Sequence, residues 1–199
     1  KLIFEGEYKY GNEWNGIFYD IKNNNDKYEI KNGKGFIKKF NKYGQLKYEG
    51  EYLNGKRNGK GIEYIGRGSK YEGEFLNGKK HGKGIEIKLG IRYEGEFLNG
   101  RKNGKGKEYA INKEGKECII FEGDYLDDNR WKGIGKELGW YNLIIFDGEY
   151  LYGQYWNGTR YYYDQDFYGW YKESEEIYIN GKGKVQSNKG SNFERGKCF

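Results

Sequence analysis

Rings and glycines alternate along this chain in short runs. In Tyr48-Glu49-Gly50-Glu51-Tyr52 the order is ring, charge, glycine, charge, ring. Successive side chains of a β-strand point to opposite faces, so Tyr48, Gly50 and Tyr52 share one face and Glu49 and Glu51 the other. Asn54-Gly55 follows, a dipeptide suited to a tight hairpin turn. A second strand is expected from Gly59 to Tyr64, opening with Gly59 and Gly61 on one face and Lys60 on the other. Glycine has no Cβ, so a ring can lie close against such a strand. The pattern predicts a β-hairpin in which Tyr48 and Tyr52 pack over glycines such as Gly50 and Gly61. On the opposite face Glu49 and Glu51 approach Lys60, and such charge pairs set register more than stability.

The hairpin repeats. YEGEFLNGKKHGKGIEI starts at Tyr71 and YEGEFLNGRKNGKGKEY at Tyr93, so Tyr71, Gly73, Phe75, Gly82 and Gly84 take the same roles, as do Tyr93, Gly95, Phe97, Gly104 and Gly106. Looser copies start at Phe4, Phe121 and Phe146. The 44 residues from Phe4 to Tyr48 equal two units of 22, which predicts a degenerate copy between them. Phe193-Glu194 is expected to open another copy. A lone hairpin is marginal in water, whereas stacked hairpins bury each aromatic face against the next. The expected fold is therefore all-β: an elongated single-domain array of stacked antiparallel β-hairpins in an open sheet or solenoid, covering residues 1–199. Two strands per unit give roughly 10 Å of rise per repeat.

Two loop classes appear. From the opening ring to the first glycine of the second strand is 11 residues in the units at Tyr48, Tyr71 and Tyr93, and 12 in those at Phe4, Phe121 and Phe146. Each longer loop carries a tryptophan (Trp14, Trp131, Trp156), expected to cover a bulge made by the extra residue. In the first and last copies Phe18 and Arg160 stand where a second glycine is expected. Asn-Gly-Lys-Gly then recurs at Asn32 and Asn180, so residues 4–47 and 146–191 read as long variant units, with irregular hairpins around 20–31 and 164–179.

The string YEGEFLNGKKHGKG, in units of about 23 residues, resembles the MORN repeat. That resemblance implies stacked antiparallel hairpins forming a grooved sheet. It also implies a role in protein–protein contact, in cytoskeletal or ciliary scaffolding, or in recruitment to membranes. Relatives of this kind attach such arrays to lipid kinases, protein kinases or a SET-type methyltransferase.

Composition narrows the classes. Tyr alone accounts for 22 residues and aromatics for 19 %, which separates this polar chain from disordered ones. Its 36 Lys and Arg against 30 Asp and Glu leave +6, too mild for a nucleic-acid signature, so no nucleic acid is expected. Cys118 and Cys198 form neither a metal motif nor a disulfide framework, which suits a reducing, cytoplasmic setting, and the resemblance implies a place at a membrane or the cytoskeleton. No apolar run approaches the 18 residues of a spanning helix. Lys1-Leu2-Ile3 repeats the lead-in seen before Tyr48 and Phe146, so the chain is expected to be part of a longer one.

Catalytic, cofactor and metal sites are not expected. No G-x-G-x-x-G or Gly-Lys-Ser/Thr is present, and the glycines recur with the repeat. His81, the single histidine, occupies a loop slot held by Asn58 and Asn103 in neighbouring units. Two surfaces remain. Lys56-Arg57, Lys79-Lys80 and Arg101-Lys102 stand at equivalent positions and would form a basic ladder for an anionic partner, or a solvated edge that discourages aggregation. Tyr155, Trp156, Tyr161, Tyr163, Phe167 and Trp170 are either an aromatic surface for a peptide or helix, or packing within the array. The leading function is a non-catalytic protein–protein interaction scaffold or targeting platform. A peripheral module for anionic phospholipid and a regulatory region of a larger enzyme such as a kinase are the alternatives. An open sheet end also leaves room for a homodimer.

Overall fold

The computed structural model describes residues 3–20, 26–111, 116–138, 144–166 and 169–186. These are all-β, with no helix among them. The strands are β1 (Phe4–Lys9), β2 (Asn12–Tyr19), β3 (Lys27–Ile30), β4 (Gly35–Phe40), β5 (Leu46–Leu53), β6 (Lys56–Gly66), β7 (Ser69–Leu76), β8 (Lys79–Lys88), β9 (Ile91–Leu98), β10 (Arg101–Ile111), β11 (Glu117–Leu126), β12 (Asn129–Leu138), β13 (Ile144–Leu151), β14 (Gln154–Asp166), β15 (Gly169–Ile179) and β16 (Lys182–Gln186). β1 to β3 form a three-stranded sheet, and β4 to β16 follow one another in chain order in an open antiparallel sheet of thirteen strands. Phe193, Glu194, Cys198 and Phe167 lie outside the described residues. The chain divides into two compact units, Lys1–Leu89 with Tyr93–Arg101, and Gly90–Arg92 with Lys102–Phe199.

In the first unit the sequence pattern becomes a packing rule. Gly50 faces Gly61 across β5 and β6, and Gly73 faces Gly84 across β7 and β8. The opening ring lies over each pair. A methyl added to Gly61 would sit 2.4 Å from the Tyr48 hydroxyl oxygen, and one on Gly84 would sit 2.5 Å from the Tyr71 ring. Tyr48, Tyr71 and Tyr93 are buried, and so are Tyr52, Phe75 and Phe97. Each opening ring meets the closing ring of its own hairpin edge-on, as Tyr71 meets Phe75 at 5.1 Å. Tyr48 and Tyr71 also meet the closing ring of the next hairpin, Tyr71 meeting Phe97 at 4.9 Å. Such edge-on pairs add about 0.5–1.5 kcal/mol each beyond burial. In the second unit Phe121 and Phe146 hold the same place, with Tyr125 and Tyr150 as closing rings.

Register reverses the expected reading of the two loop classes. Gly6 pairs with Gly16, Gly123 with Gly133 and Gly148 with Gly158. The glycine that answers Gly61 in the Phe units is thus the first of the second strand, and Phe18 and Arg160 sit one pair further along. The Phe units have the smaller bulge. The Tyr units carry the larger one, because the register moves by two residues between Gly73↔Gly84 and Glu74↔His81. Gly59, Gly82 and Gly104 do not floor a ring. Their φ values of 69°, 57° and 85° turn the chain through the bulge, in a region that favours glycine. Glu51 and Glu74 accept hydrogen bonds there from the backbone N–H of Lys60 and Lys83. The opening phenols Tyr48, Tyr71 and Tyr93 donate to the carbonyls of Glu51, Glu74 and Glu96 at 3.1, 2.9 and 3.0 Å. Units with the larger bulge have a hydroxyl to offer, and units with the smaller one have Phe.

The tryptophans, too, sit elsewhere than expected. They lie against the following turn and do not cover their own. A methyl on Gly33 would sit 2.7 Å from the Trp14 ring, and one on Gly181 3.1 Å from Trp156, while Trp131 meets Tyr152 of the next turn at 5.5 Å. Gly33, Gly153 and Gly181 donate their N–H groups to the carbonyls of Trp14, Trp131 and Trp156. Gly55, Gly78 and Gly100 reach back to Gly33, Arg57 and Lys80 in the same way.

The degenerate unit predicted before Tyr48 exists as β3 and β4, joined by the Asn32-Gly33 turn, but its two strands belong to different sheets. Among the described residues only Lys31 and Lys34 bridge them. Tyr28 and Ile37 stand where the facing glycine pair stands in other hairpins, so the strands cannot close in the same way. Buried Phe18, Ile30, Ile37 and Phe40 fill the space instead. β15 and β16 also lack the glycine pair, yet they stay paired, with no register shift between them. The irregular hairpins expected around 20–31 and 164–179 fall partly outside the described residues; β2 pairs antiparallel with β3, and β14 with β15 through one register shift.

Gly84→Ala is expected to destabilise the protein by about 1–3 kcal/mol, because the methyl meets the Tyr71 ring in a fully packed site. Gly78, whose added methyl would meet nothing within 4 Å, pays only for its φ of 87°. Urea unfolding of the two alanine variants should separate them, and equal midpoints would contradict the ring-on-glycine account.

Candidate interaction surface

Strand alternation splits the six ladder residues between two faces. Arg57 lies opposite Tyr52 and shares the aromatic face, whereas Lys56 lies opposite Leu53 and points outward. The same holds for Lys80 opposite Phe75 and Lys79 opposite Leu76. The inward cations are half-buried, and Lys56, Lys79 and Arg101 are exposed.

On the aromatic face Arg57 and Lys80 each run along their strand across the opening ring to a carboxylate six residues on. The Arg57 guanidinium stands 4.8 Å from the centre of Tyr48 and pairs with Glu63 at 2.5 Å. Lys80 stands 4.9 Å from the centre of Tyr71 and pairs with Glu86. In the second unit Lys102 pairs with Glu108 at 2.8 Å. Arg130 lies over Phe121 and also reaches Glu108, at 2.8 Å. Burial alone would raise the Glu108 carboxyl, but Arg130 and Lys102 outweigh it and hold the group below its ordinary value. Burial likewise pushes the Tyr150 phenol up to about 12 despite the Arg130 charge beside it. These cations belong to the packing of the array, and their charges are answered within it.

The outward face is different. Leu53, Leu76 and Leu98 close the first strands of three consecutive hairpins, and they are 42, 43 and 46 % exposed. The closing rings beside them are nearly inaccessible. Leu53 faces Lys56 and Leu76 faces Lys79 across the hairpin end, while Leu98 and Arg101 flank the Asn99-Gly100 turn. Side chains directly opposite one another on an antiparallel pair share a face. The first unit therefore carries a strip of apolar residues bordered by cations. Lys60 and Lys83 lie further along the same face, exposed. Tyr64 donates to Glu49 at 2.6 Å, and that bond pushes its phenol up to about 12. The leucines were present in the repeated string; what marked them was their odd place in the alternation, on the face of the glutamates.

The aromatic candidates near the end of the chain are half-buried and engaged in packing. Tyr155 stacks on Phe146 at 3.9 Å and donates to Glu137 at 2.6 Å. Trp156 lies on Gly181, and Tyr163 donates to the carbonyl of Ile144 at 2.8 Å. Tyr161 is half-buried on β14. The side chain of Trp170 lies outside the described residues, as does Phe167. His81 sits in the β8 bulge opposite Glu74. Among the described residues no group of His, Cys, Asp and Glu is arranged to hold a metal ion.

Residues 48–70, 71–88 and 93–112 each match the family model described as MORN repeat. No curated protein matches the chain.

Because its pKa is depressed in the fold, Glu108 contributes stability that is present above the unfolded carboxylate value and lost as pH falls through the folded one. Glu108→Gln should cost about 3 kcal/mol near neutral pH, since it leaves two half-buried cations short of a partner. The difference from wild type should shrink as pH falls below about 4.5. Thermal unfolding of both proteins across that range measures it.

Proposed function

Starting from a chain that carries three consecutive MORN repeats, we propose that it is a non-catalytic interaction scaffold or targeting platform whose contact surface is the outward strip of the first unit. One observation carries the reading: Leu53, Leu76 and Leu98 remain half-exposed at equivalent positions, each beside an exposed cation. A row of isolated leucines needs no explanation, but a repeated row with exposed Lys56, Lys79 and Arg101 on its turn side and exposed Glu51, Glu74 and Glu96 on the other matches the build of interaction surfaces. The partner that fits is a protein segment presenting apolar residues with flanking carboxylates. Its anchor points would recur at roughly 10 Å, the rise of one two-stranded unit.

A second reading rests on the same strip. Half-exposed leucines beside lysines also suit an anionic bilayer surface, where each Lys or Arg gains about 1 kcal/mol. The inward cations Arg57, Lys80 and Lys102 contribute to neither reading, because they are held over rings by Glu63, Glu86 and Glu108.

Reversing Lys56 and Lys79 to glutamate should leave circular dichroism and melting unchanged while abolishing partner recruitment. Reversing Arg57, Lys80 and Lys102 should instead lower the melting temperature. Wild type and the outward variant would be compared in co-capture from lysate and in sedimentation with phosphatidylserine-containing vesicles. Loss of protein capture alone supports the scaffold, and loss of vesicle binding supports the lipid reading. Retention of both on the outward variant removes this strip from the function.

A further inference from the structure

The outward leucines of the first unit stand in register. Gly50 faces Gly61, Gly61 faces Gly73 and Gly73 faces Gly84, one row across four strands. Leu53 and Leu76 each lie three residues beyond a glycine of that row, and Leu98 lies three beyond Gly95. Phe75 meets Tyr48 at 5.3 Å and Phe97 meets Tyr71 at 4.9 Å, so the third hairpin follows the second as the second follows the first. Two strands at about 4.8 Å each therefore set successive leucines about 9.6 Å apart, and Leu53 about 19 Å from Leu98.

That spacing discriminates between the backbone conformations of a partner laid along the row. Like-facing side chains of an α-helix recur after seven residues, about 10.5 Å, so a helix overshoots the third leucine by about 2 Å. A β-strand repeats at about 6.8 Å and is out of step at the second leucine. A polyproline II helix turns once in three residues, about 9.3 Å, and stays within about 1 Å of all three leucines. The charges fit the same count. Each of the first two hairpins offers one half-exposed leucine, one exposed lysine beside the turn (Lys56, Lys79) and one exposed glutamate two residues before the leucine (Glu51, Glu74). One polyproline II turn offers three residues on three faces, one against the leucines and one on either flank. A turn with one apolar, one acidic and one basic residue therefore matches one hairpin, and complementary charge fixes which way the segment runs.

Resting on the reading of the outward strip as the contact surface, we propose that its occupant is a polyproline II segment of a partner protein, built in triplets. In each triplet an apolar residue, proline foremost, lies against the leucines, a carboxylate faces Lys56 or Lys79, and an amine faces Glu51 or Glu74. Proline suits the apolar place because it fixes φ near the polyproline II value and disfavours the α-helix. Such a segment is ordered before it binds, which lowers the entropy cost of contact.

Fluorescence anisotropy of the 199-residue chain with labelled synthetic peptides tests this. The probe is five Pro-Glu-Lys triplets. One comparison peptide repeats Pro-Glu-Lys-Gly, which keeps the charges and lengthens the period. The other is an α-helix with leucine at every seventh residue between the same flanking charges. The triplet peptide should bind at least tenfold tighter than either. It should weaken at least tenfold on a Leu53→Ser, Leu76→Ser, Leu98→Ser variant whose fold is checked by circular dichroism, and likewise on Lys56→Glu with Lys79→Glu. No binding of the triplet peptide overturns the proposal. So does equal binding of the longer period, tighter binding of the helix, or binding that the leucine variant leaves unchanged. In each of those cases co-capture from lysate that Lys56→Glu with Lys79→Glu abolishes keeps the strip as the contact surface, whereas co-capture that this variant retains overturns both.

Discussion

The whole architecture depends on a ring lying across two facing glycines. Tyr71 can be fully buried in a chain with few aliphatic residues only because Gly73 and Gly84 leave no side chain beneath it. That contact fixes three things together. It sets the register, since the glycines must face each other. It sets the spacing of hairpins, since the ring must also meet the closing ring of the next unit. It sets which face is buried, since a slip of one residue would turn every ring to solvent. Between β3 and β4, where Tyr28 and Ile37 stand in place of the pair, the sheet divides.

The same contact explains how so polar a chain folds. A ring over bare backbone presents its outer face to the cation of the neighbouring strand, and Arg57, Lys80 and Arg130 lie over that face. Each cation carries its long aliphatic stem onto the ring, which shields apolar surface that an aliphatic core would otherwise have to cover. The carboxylates of Glu63, Glu86 and Glu108 then hold the heads in place. These pairs are half-buried and bonded on more than one side, unlike surface pairs such as Lys70 with Glu72, whose contribution is small.

Much of this was legible in the sequence, for physical reasons. Alternation of ring and glycine reports a period of two directly, and repetition of Asn-Gly at fixed distance from the ring reports the hairpin. Hence the strands, the buried faces of Tyr48, Tyr71 and Tyr93, and the hidden unit before Tyr48 could all be read. The bulge could not. Counting from the opening ring to the first glycine treats Gly59 and Gly16 as equivalent, whereas one bends the chain and the other faces Gly6 across the pair. Spacing alone cannot tell a glycine kept for its φ from a glycine kept for its missing Cβ. The basic dipeptides misled similarly. Read as loops, Lys56 and Arg57 look alike; read as the start of β6, they fall on opposite faces.

That division of labour has a consequence for where function can reside. The inward residues of each hairpin are constrained from two sides, by the glycine pair below and by the next ring beside them, so little can change there without loss of the fold. The outward residues near the turn face no such constraint. Leu53 and Lys56 face each other across the hairpin end, on the side away from the rings. A leucine half in water at the same place in three hairpins is a feature that solvation alone does not favour, since a polar side chain would be better hydrated there. That is why the proposed contact surface is set on the side of the sheet that the folding rule leaves free.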